Sequence, residues 1–189
     1  MNFAEEVRRF CPTCAEEVGD KLTMSDWIRQ YPDTILTREN TFAHMTSSAM
    51  IFDPTMQQVL MIYHNIYRSW SWTGGHADGD ADLLAVALRE ATEETGVRVL
   101  TPLSERATGL DVLTVNGHFK HGQWVSSHLH LSLCYSFTAD PDAPLRIKPD
   151  ENSGVRWLPV DRLEEYVSEP QMLPVYHRII RRSLALKNI

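Results

Sequence analysis

Residues Gly75 to Val97 read GHADGDADLLAVALREATEETGV, and the last nine, REATEETGV, decide the fold. They set Arg89, Glu90, Glu93 and Glu94 just before Gly96. Carboxylates at positions i, i+3 and i+4 fall on one side of a helix. With Leu84 as the zero of a helical wheel, Leu84, Ala87, Leu88, Ala91 and Thr95 form a packing stripe. Glu90, Glu93 and Glu94 fill an arc of roughly 100° beside it. Two unit charges about 4 Å apart near a protein surface repel by roughly 4 kcal/mol at an effective dielectric of 20. A divalent cation removes that cost, and hard cations such as Mg²⁺ reach phosphate substrates through a few carboxylates. A merely solvated acidic face is the plain alternative. Arg89 argues against it, because Arg four residues before Glu93 is the less favourable order for a helix ion pair.

Working outward, Asp80 and Asp82 are candidate caps for this helix, and their charge suits its dipole. Gly96 is its stop signal. Gly74, Gly75 and Gly79 read as a loop before it. Val97 to Leu100 reads as the start of a strand.

The segment resembles the Nudix box, whose pattern is G-x5-E-x7-R-E-U-x-E-E-x-G-U with U a bulky aliphatic residue. Gly75 is followed in register by Ala81 and by Arg89-Glu90-Ala91-Thr92-Glu93-Glu94-Thr95-Gly96-Val97. Two positions depart from the pattern: Ala81 stands where the family has its first glutamate, and Ala91 is smaller than usual. The resemblance implies the Nudix α/β/α sandwich, an α+β fold with a mixed sheet between helices. It implies hydrolysis of a nucleoside diphosphate linked to another moiety, with Mg²⁺ or Mn²⁺ as cofactor. Carried over by position, Glu90 and Glu94 are the main metal ligands, and Glu93 is a further ligand or the base that activates water. Arg89 orients the neighbouring carboxylates, and the Gly74 or Gly75 carbonyl is an extra ligand. Glu151, beside Asp150, falls where many Nudix proteins keep another acidic residue. A homodimer is an assembly the resemblance makes available.

Two other readings stay open. An isomerase resembling isopentenyl-diphosphate isomerase would want a cysteine near the glycine loop, and none lies between Cys14 and Cys134. A non-catalytic Nudix-like binding module is supported by Ala81, with Glu90, Glu93 and Glu94 against it.

Composition bounds the rest. The chain has 189 residues, is 43% hydrophobic and carries a net charge of −7. That suits one core and argues against a nucleic-acid duplex or an anionic membrane as partner. No apolar run approaches the roughly 20 residues of a membrane span. The N-terminus MNFAEEVRRF lacks the apolar stretch of a signal peptide, so a cytoplasmic location is expected. Cys11, Cys14 and Cys134 are too few for a disulfide framework, and a lone C-x-x-C lacks the other two ligands zinc needs.

Residues 1 to 41 read as a helical extension, with helices at Ala4–Phe10 and Ser25–Tyr31, and residues 42 to 189 as the main domain. Strands are expected at His44–Phe52, Gln58–His64, Trp70–Trp72, Leu110–Val115, Ser127–Phe137 and Gly154–Leu158. Turns fall at Asn116-Gly117 and His121-Gly122. A short helix follows at Val160–Val167 and a closing one at Leu173–Lys187. His128 and His130 alternate onto one strand face. With His76 in the glycine segment they are candidates to bind substrate, and ordinary hydrogen-bonded histidines are the alternative. Trp70, Trp72 and Trp124 are candidates to stack on a base.

Overall fold

The computed structural model describes residues 2–120 and 122–187. Strand β1 (Ala43–Phe52) is its spine, and all ten of its residues are buried. It pairs parallel with β9 (His128–Thr138) along its whole length. On its other edge it pairs antiparallel with β4 (Thr73–His76) and β2 (Gln58–His64). β3 (Ser69–Ser71) and β10 (Asn152–Pro159) extend the sheet beyond β2. β5 (Thr101–Pro102) and β6 (Gly109–Val115) line the far edge of β9. β7 (His118–Lys120) and β8 (Gln123–Val125) form a separate two-stranded hairpin.

Side chains alternate across a strand, so β1 and β9 each present two faces. Ala43, Met45, Ala49 and Ile51 join Leu131, Leu133 and Phe137 in one core. Helices α1 (Phe3–Arg9), α2 (Ala15–Gln30) and α3 (Leu83–Thr95) contribute Val7, Met24, Val86 and Ala91 to it. On the opposite face Met50, Phe52 and Cys134 pack under Tyr176, Ile179 and Ile180 of α4 (Leu173–Lys187). The sheet thus lies between helices, the expected α/β/α sandwich. On that second face the pattern turns polar toward the N-terminal ends of both strands. His44, Thr46, Ser48, His128, His130 and Ser132 line an open cavity of about 1700 Å³ there.

Several expected boundaries shift. Gly74 and Gly75 lie in strand β4 and not in a loop, because Ser48 and Ser47 of β1 pair with them. The loop is confined to the residues around Gly79, which has φ +91°. Val97 to Leu100 is irregular, and pairing with β9 begins only at Thr101. The helix expected at Ser25 is the end of the longer α2, whose first turn carries Glu16 and Glu17 where the helix dipole favours them. Trp72 falls between β3 and β4, and the helix expected at Val160 is a 3₁₀ segment, Val160–Glu165. The turn expected at His121-Gly122 involves His121, which lies outside the described residues.

Candidate active site

Asp82 caps α3 by accepting a hydrogen bond from the Ala85 amide at 3.1 Å, and Gly96 ends it with φ +79°. The buried stripe runs through Leu83, Val86, Ala87, Ala91, Glu94 and Thr95. Glu94 therefore sits on the packing side of the helix and not beside it. It is 2% exposed. The Gly74 amide donates to its Oε2 at 3.1 Å. Burial, and after it the carboxylates of Glu151 and Glu90, push the Glu94 pKa up to about 9 despite that bond. Burial also raises Glu90, one turn earlier, against the pull of Lys148 and Arg89.

Glu90, Glu94 and Glu151 each offer an oxygen, and these oxygens all lie within 4.8 Å of one another. Gly75 makes room for this. A Cβ built there would stand 2.5 Å from the Glu90 carboxyl carbon, so no other residue fits without displacing the carboxylate. Gly74 is equally confined, with a built Cβ 2.7 Å from the Ser47 carbonyl oxygen. Glu151 reaches the helix from the loop before β10. Buried Asn152 fastens that loop by donating its Nδ2 hydrogen to the Glu94 carbonyl at 3.0 Å.

The other expected site residues fall around this triad. Glu93 stands outside it at the rim, where Lys148 Nζ lies 2.9 Å from its Oε2 and 3.2 Å from Glu151 Oε2. Burial works to lower the Lys148 pKa, but Glu93 and Glu151 hold it above the ordinary lysine value. Arg89 lies 3.4 Å from Glu90 and 3.7 Å from Asp80, between the two carboxylates. Of the carboxylates flanking Ala81, Asp82 caps the helix, and Asp80 accepts from the Asp82 amide and lies near Arg89. His76, His128 and His130 do converge, and His44 joins them. Burial, and then neighbouring charge, takes the His76 pKa down to about 3 and the His130 pKa down to about 2.

Sequence reasoning missed Lys148, Asn152 and His44. The local pattern marks His44 only as a strand residue, and the parallel register sets it opposite His130. The tryptophans divide. Trp72 packs edge-on against Tyr176 in the core, and Trp70 against Tyr63. Trp124 is exposed on β8 beside Phe119. Cys11, Cys14 and Cys134 are free thiols.

The site is thus an open cavity on the sheet, a helix that sets carboxylates at its wall, and glycines that leave room for them. The family comparison agrees. The NUDIX domain model matches residues 43–181, and the chain belongs to that family. Membership gives the class of enzyme, a Nudix-type pyrophosphohydrolase. No curated protein matches the chain in sequence. Solved structures share its fold. An Ap4A hydrolase from C. elegans superposes with TM-score 0.55 at 15% identity, covering 77% of this chain and 98% of that one. A MutT protein from Methanosarcina mazei Go1 gives TM-score 0.53 at 15% identity, over 79% and 99% of the two chains. A NUDIX-family hydrolase from Clostridium perfringens gives 0.52 at 16%, over 76% and 97%.

Proposed function

We propose that this chain hydrolyses the pyrophosphate bond of a nucleoside diphosphate linked to another moiety, with Mg²⁺ or Mn²⁺ as cofactor. One observation carries the reading: three carboxylates face one another, Arg89 and Lys148 reach only Glu90 and Glu151 from the rim, and among the described residues no cation pairs with the almost fully buried Glu94. A hard divalent ion fits this donor set, which is all oxygen. Glu90, Glu94 and Glu151 would hold it, with the Gly74 carbonyl and Glu93 as further ligands. When bound, such an ion supplies positive charge to the phosphate oxygens and lowers the pKa of an attacking water.

The chain's own residues do the rest. Phosphoryl transfer needs positioning and charge neutralisation more than covalent chemistry. Gly75 leaves the room in which the Glu90 carboxylate sits against the strand, facing the place of the diphosphate. Arg89 holds Glu90 in place. Glu151 or Glu93 takes the proton from the attacking water; both are tethered by Lys148, which keeps their charge forward at the cavity mouth. Water adds to phosphorus, the bridging P–O bond breaks, and two phosphate monoesters leave. His76, His128 and His130 line the same cavity, on the side where the remainder of the substrate would lie. Residues 42 to 189 would form the hydrolase domain, and residues 1 to 41 an extension packed on β6.

The test is release of phosphate monoesters from a panel of nucleoside diphosphate compounds, with and without Mg²⁺ or Mn²⁺. Metal-dependent turnover of at least one compound is expected. Tight binding of a compound without turnover of any would favour the non-catalytic module.

A further inference from the structure

Four histidines from three strands meet in the cavity. His44 is on β1, His76 on β4, and His128 and His130 on β9. Each offers a ring nitrogen, and the four nitrogens all lie within 4.8 Å of one another. The sheet register makes the meeting. His44 is the parallel partner of His130, and His76 is opposite Thr46, two residues along β1 on the same face. His128 is two residues from His130, and alternation returns it to that face.

The cluster is not a set of satisfied core histidines. His44 is 4% exposed, and its Nε2 has no hydrogen-bond partner. Its Nδ1 is 2.9 Å from the Asn40 carbonyl oxygen. A carbonyl only accepts, so the proton is on Nδ1, and the orphaned Nε2 is a bare lone pair. His128 repeats the arrangement, with Nδ1 2.8 Å from the Ser126 carbonyl oxygen. Its own lone pair on Nε2 lies 3.2 Å from His130 Nε2. The buried lone pair of His44 and the half-buried one of His128 thus point into one small space. Among the described residues no carboxylate joins the four rings in that group, and the nearby Arg38 is already paired with Asp78.

A metal ion resolves this. Histidine ligands to metals donate the other ring N–H to a backbone carbonyl or carboxylate, which fixes tautomer and orientation. Both His44 and His128 are held in that way. Two nitrogens about 2.0–2.1 Å from one tetrahedral ion stand about 3.3 Å apart. The His128–His130 separation of 3.2 Å agrees with that spacing. Imidazole suits zinc, copper, iron and nickel, whereas Mg²⁺ prefers oxygen.

We propose that His44, His76, His128 and His130 form a binding site for a borderline divalent transition ion such as Zn²⁺, separate from the carboxylate site at Glu90, Glu94 and Glu151. The assignment does not depend on hydrolase activity. His76 and Gly74, whose amide meets Glu94, lie two residues or about 6–7 Å apart on β4, and both sites face one cavity. An ion there would also let the histidines meet an anionic substrate through positive charge, the Nδ1–H groups of His44 and His128 being already spent on carbonyls.

The experiment is titration of tag-free, chelator-treated protein with Co²⁺ in excess Mg²⁺, followed by visible absorption. One equivalent should bind with the intense bands of a four-coordinate nitrogen site, and Zn²⁺ should displace it. His128→Gln and His130→Gln should each weaken binding at least about 100-fold, while Glu94→Gln leaves it unchanged. No stoichiometric binding, or binding that survives both histidine changes and is lost in Glu94→Gln, would overturn the proposal. Nitrogen NMR of the wild-type histidines needs no variant. Addition of one equivalent of Zn²⁺ should shift the Nε2 resonances of His44 and His128, and unmoved resonances would also refute the site.

Discussion

Two buried charge clusters in this molecule have opposite character. The first joins α2 to α4. Glu17, fully buried, accepts from Arg182 at 2.9 and 2.7 Å and lies 3.0 Å from Arg178 Nε. Arg178 also pairs with Asp111 of β6, and Arg182 donates to the Thr108 carbonyl at 2.6 Å. Burial works against the Glu17 charge, yet the bonds from Arg182 and Thr13 hold its pKa below the ordinary value. In the second cluster, Glu94 and Glu90 are pushed up by burial, and the cations at its rim, Arg89 and Lys148, pair with Glu90, Glu93 and Glu151 and not with Glu94. Charge balanced from within ties elements together. Charge left unbalanced at a cavity wall is stability given up for a ligand that brings the opposite sign.

The contrast can be broken at several points. The largest effect belongs to the balanced cluster. Glu17→Ala leaves two arginines short of a partner and should lower unfolding free energy by about 3–5 kcal/mol in a denaturant titration. Specific activity of the folded fraction should persist. A loss below about 1 kcal/mol would remove the distinction between the clusters.

Glu94→Gln comes next. It should lower kcat about 100-fold or more through lost charge stabilisation at the reacting phosphate. The melting midpoint without metal should hold or rise, because an unbalanced buried acid is gone. A near-normal rate would sink the role of Glu94.

The pH dependence is smaller and its sign is fixed. The Glu94 pKa is raised to about 9 from an ordinary 4.5, so the folded state keeps a proton that the unfolded state releases. Stability without metal therefore falls as pH rises toward about 9. His64, His76 and His130 have the reverse sign. Their pKa values are lowered to about 4, 3 and 2 from 6.5, so they cost stability only as pH falls below about 6.5. Between about pH 7 and 9 the carboxylates act without them. The wild-type midpoint should fall across that window, and Glu94→Gln should flatten the fall. An unchanged slope in that variant would place the buried proton elsewhere.

Lys148→Ala should do least. Its pairs are partly exposed, so each contributes under about 1 kcal/mol. Freed of this competing cation, the site should reach half-saturation with Mg²⁺ at a concentration lower by up to about fivefold. Weaker Mg²⁺ binding would instead make Lys148 part of the cation site.

Much of the carboxylate site was legible in the sequence, because α3 is local. The caps, the Gly96 stop and the one-turn spacing of Glu90 and Glu94 are all carried within one segment. What escaped is non-local. Gly74 and Gly75 read as a loop because glycine is a poor strand former, and only pairing with Ser47 and Ser48 makes them a strand. The burial of Glu94 followed from the same pairing, since the Gly74 amide lies against it. The histidine cluster needed the register of three strands. His128 and His130 signalled one face by alternation, but nothing local announced that His44 would join them. Lys148, in the loop before β10, and Asn152, the first residue of β10, were hidden for the same reason.

That the carboxylate cluster holds the cation is tested most directly by thermal melting against Mg²⁺ concentration near pH 8, for wild type, Glu90→Gln and Glu94→Gln. Mg²⁺ is the right probe because imidazole does not compete for it. The wild-type midpoint should climb with the logarithm of Mg²⁺ above its dissociation constant, as it does for any ligand that binds only the folded state. Both variants should stay flat over the same range. An equal climb in all three proteins would place the ion away from Glu90 and Glu94 and contradict the site.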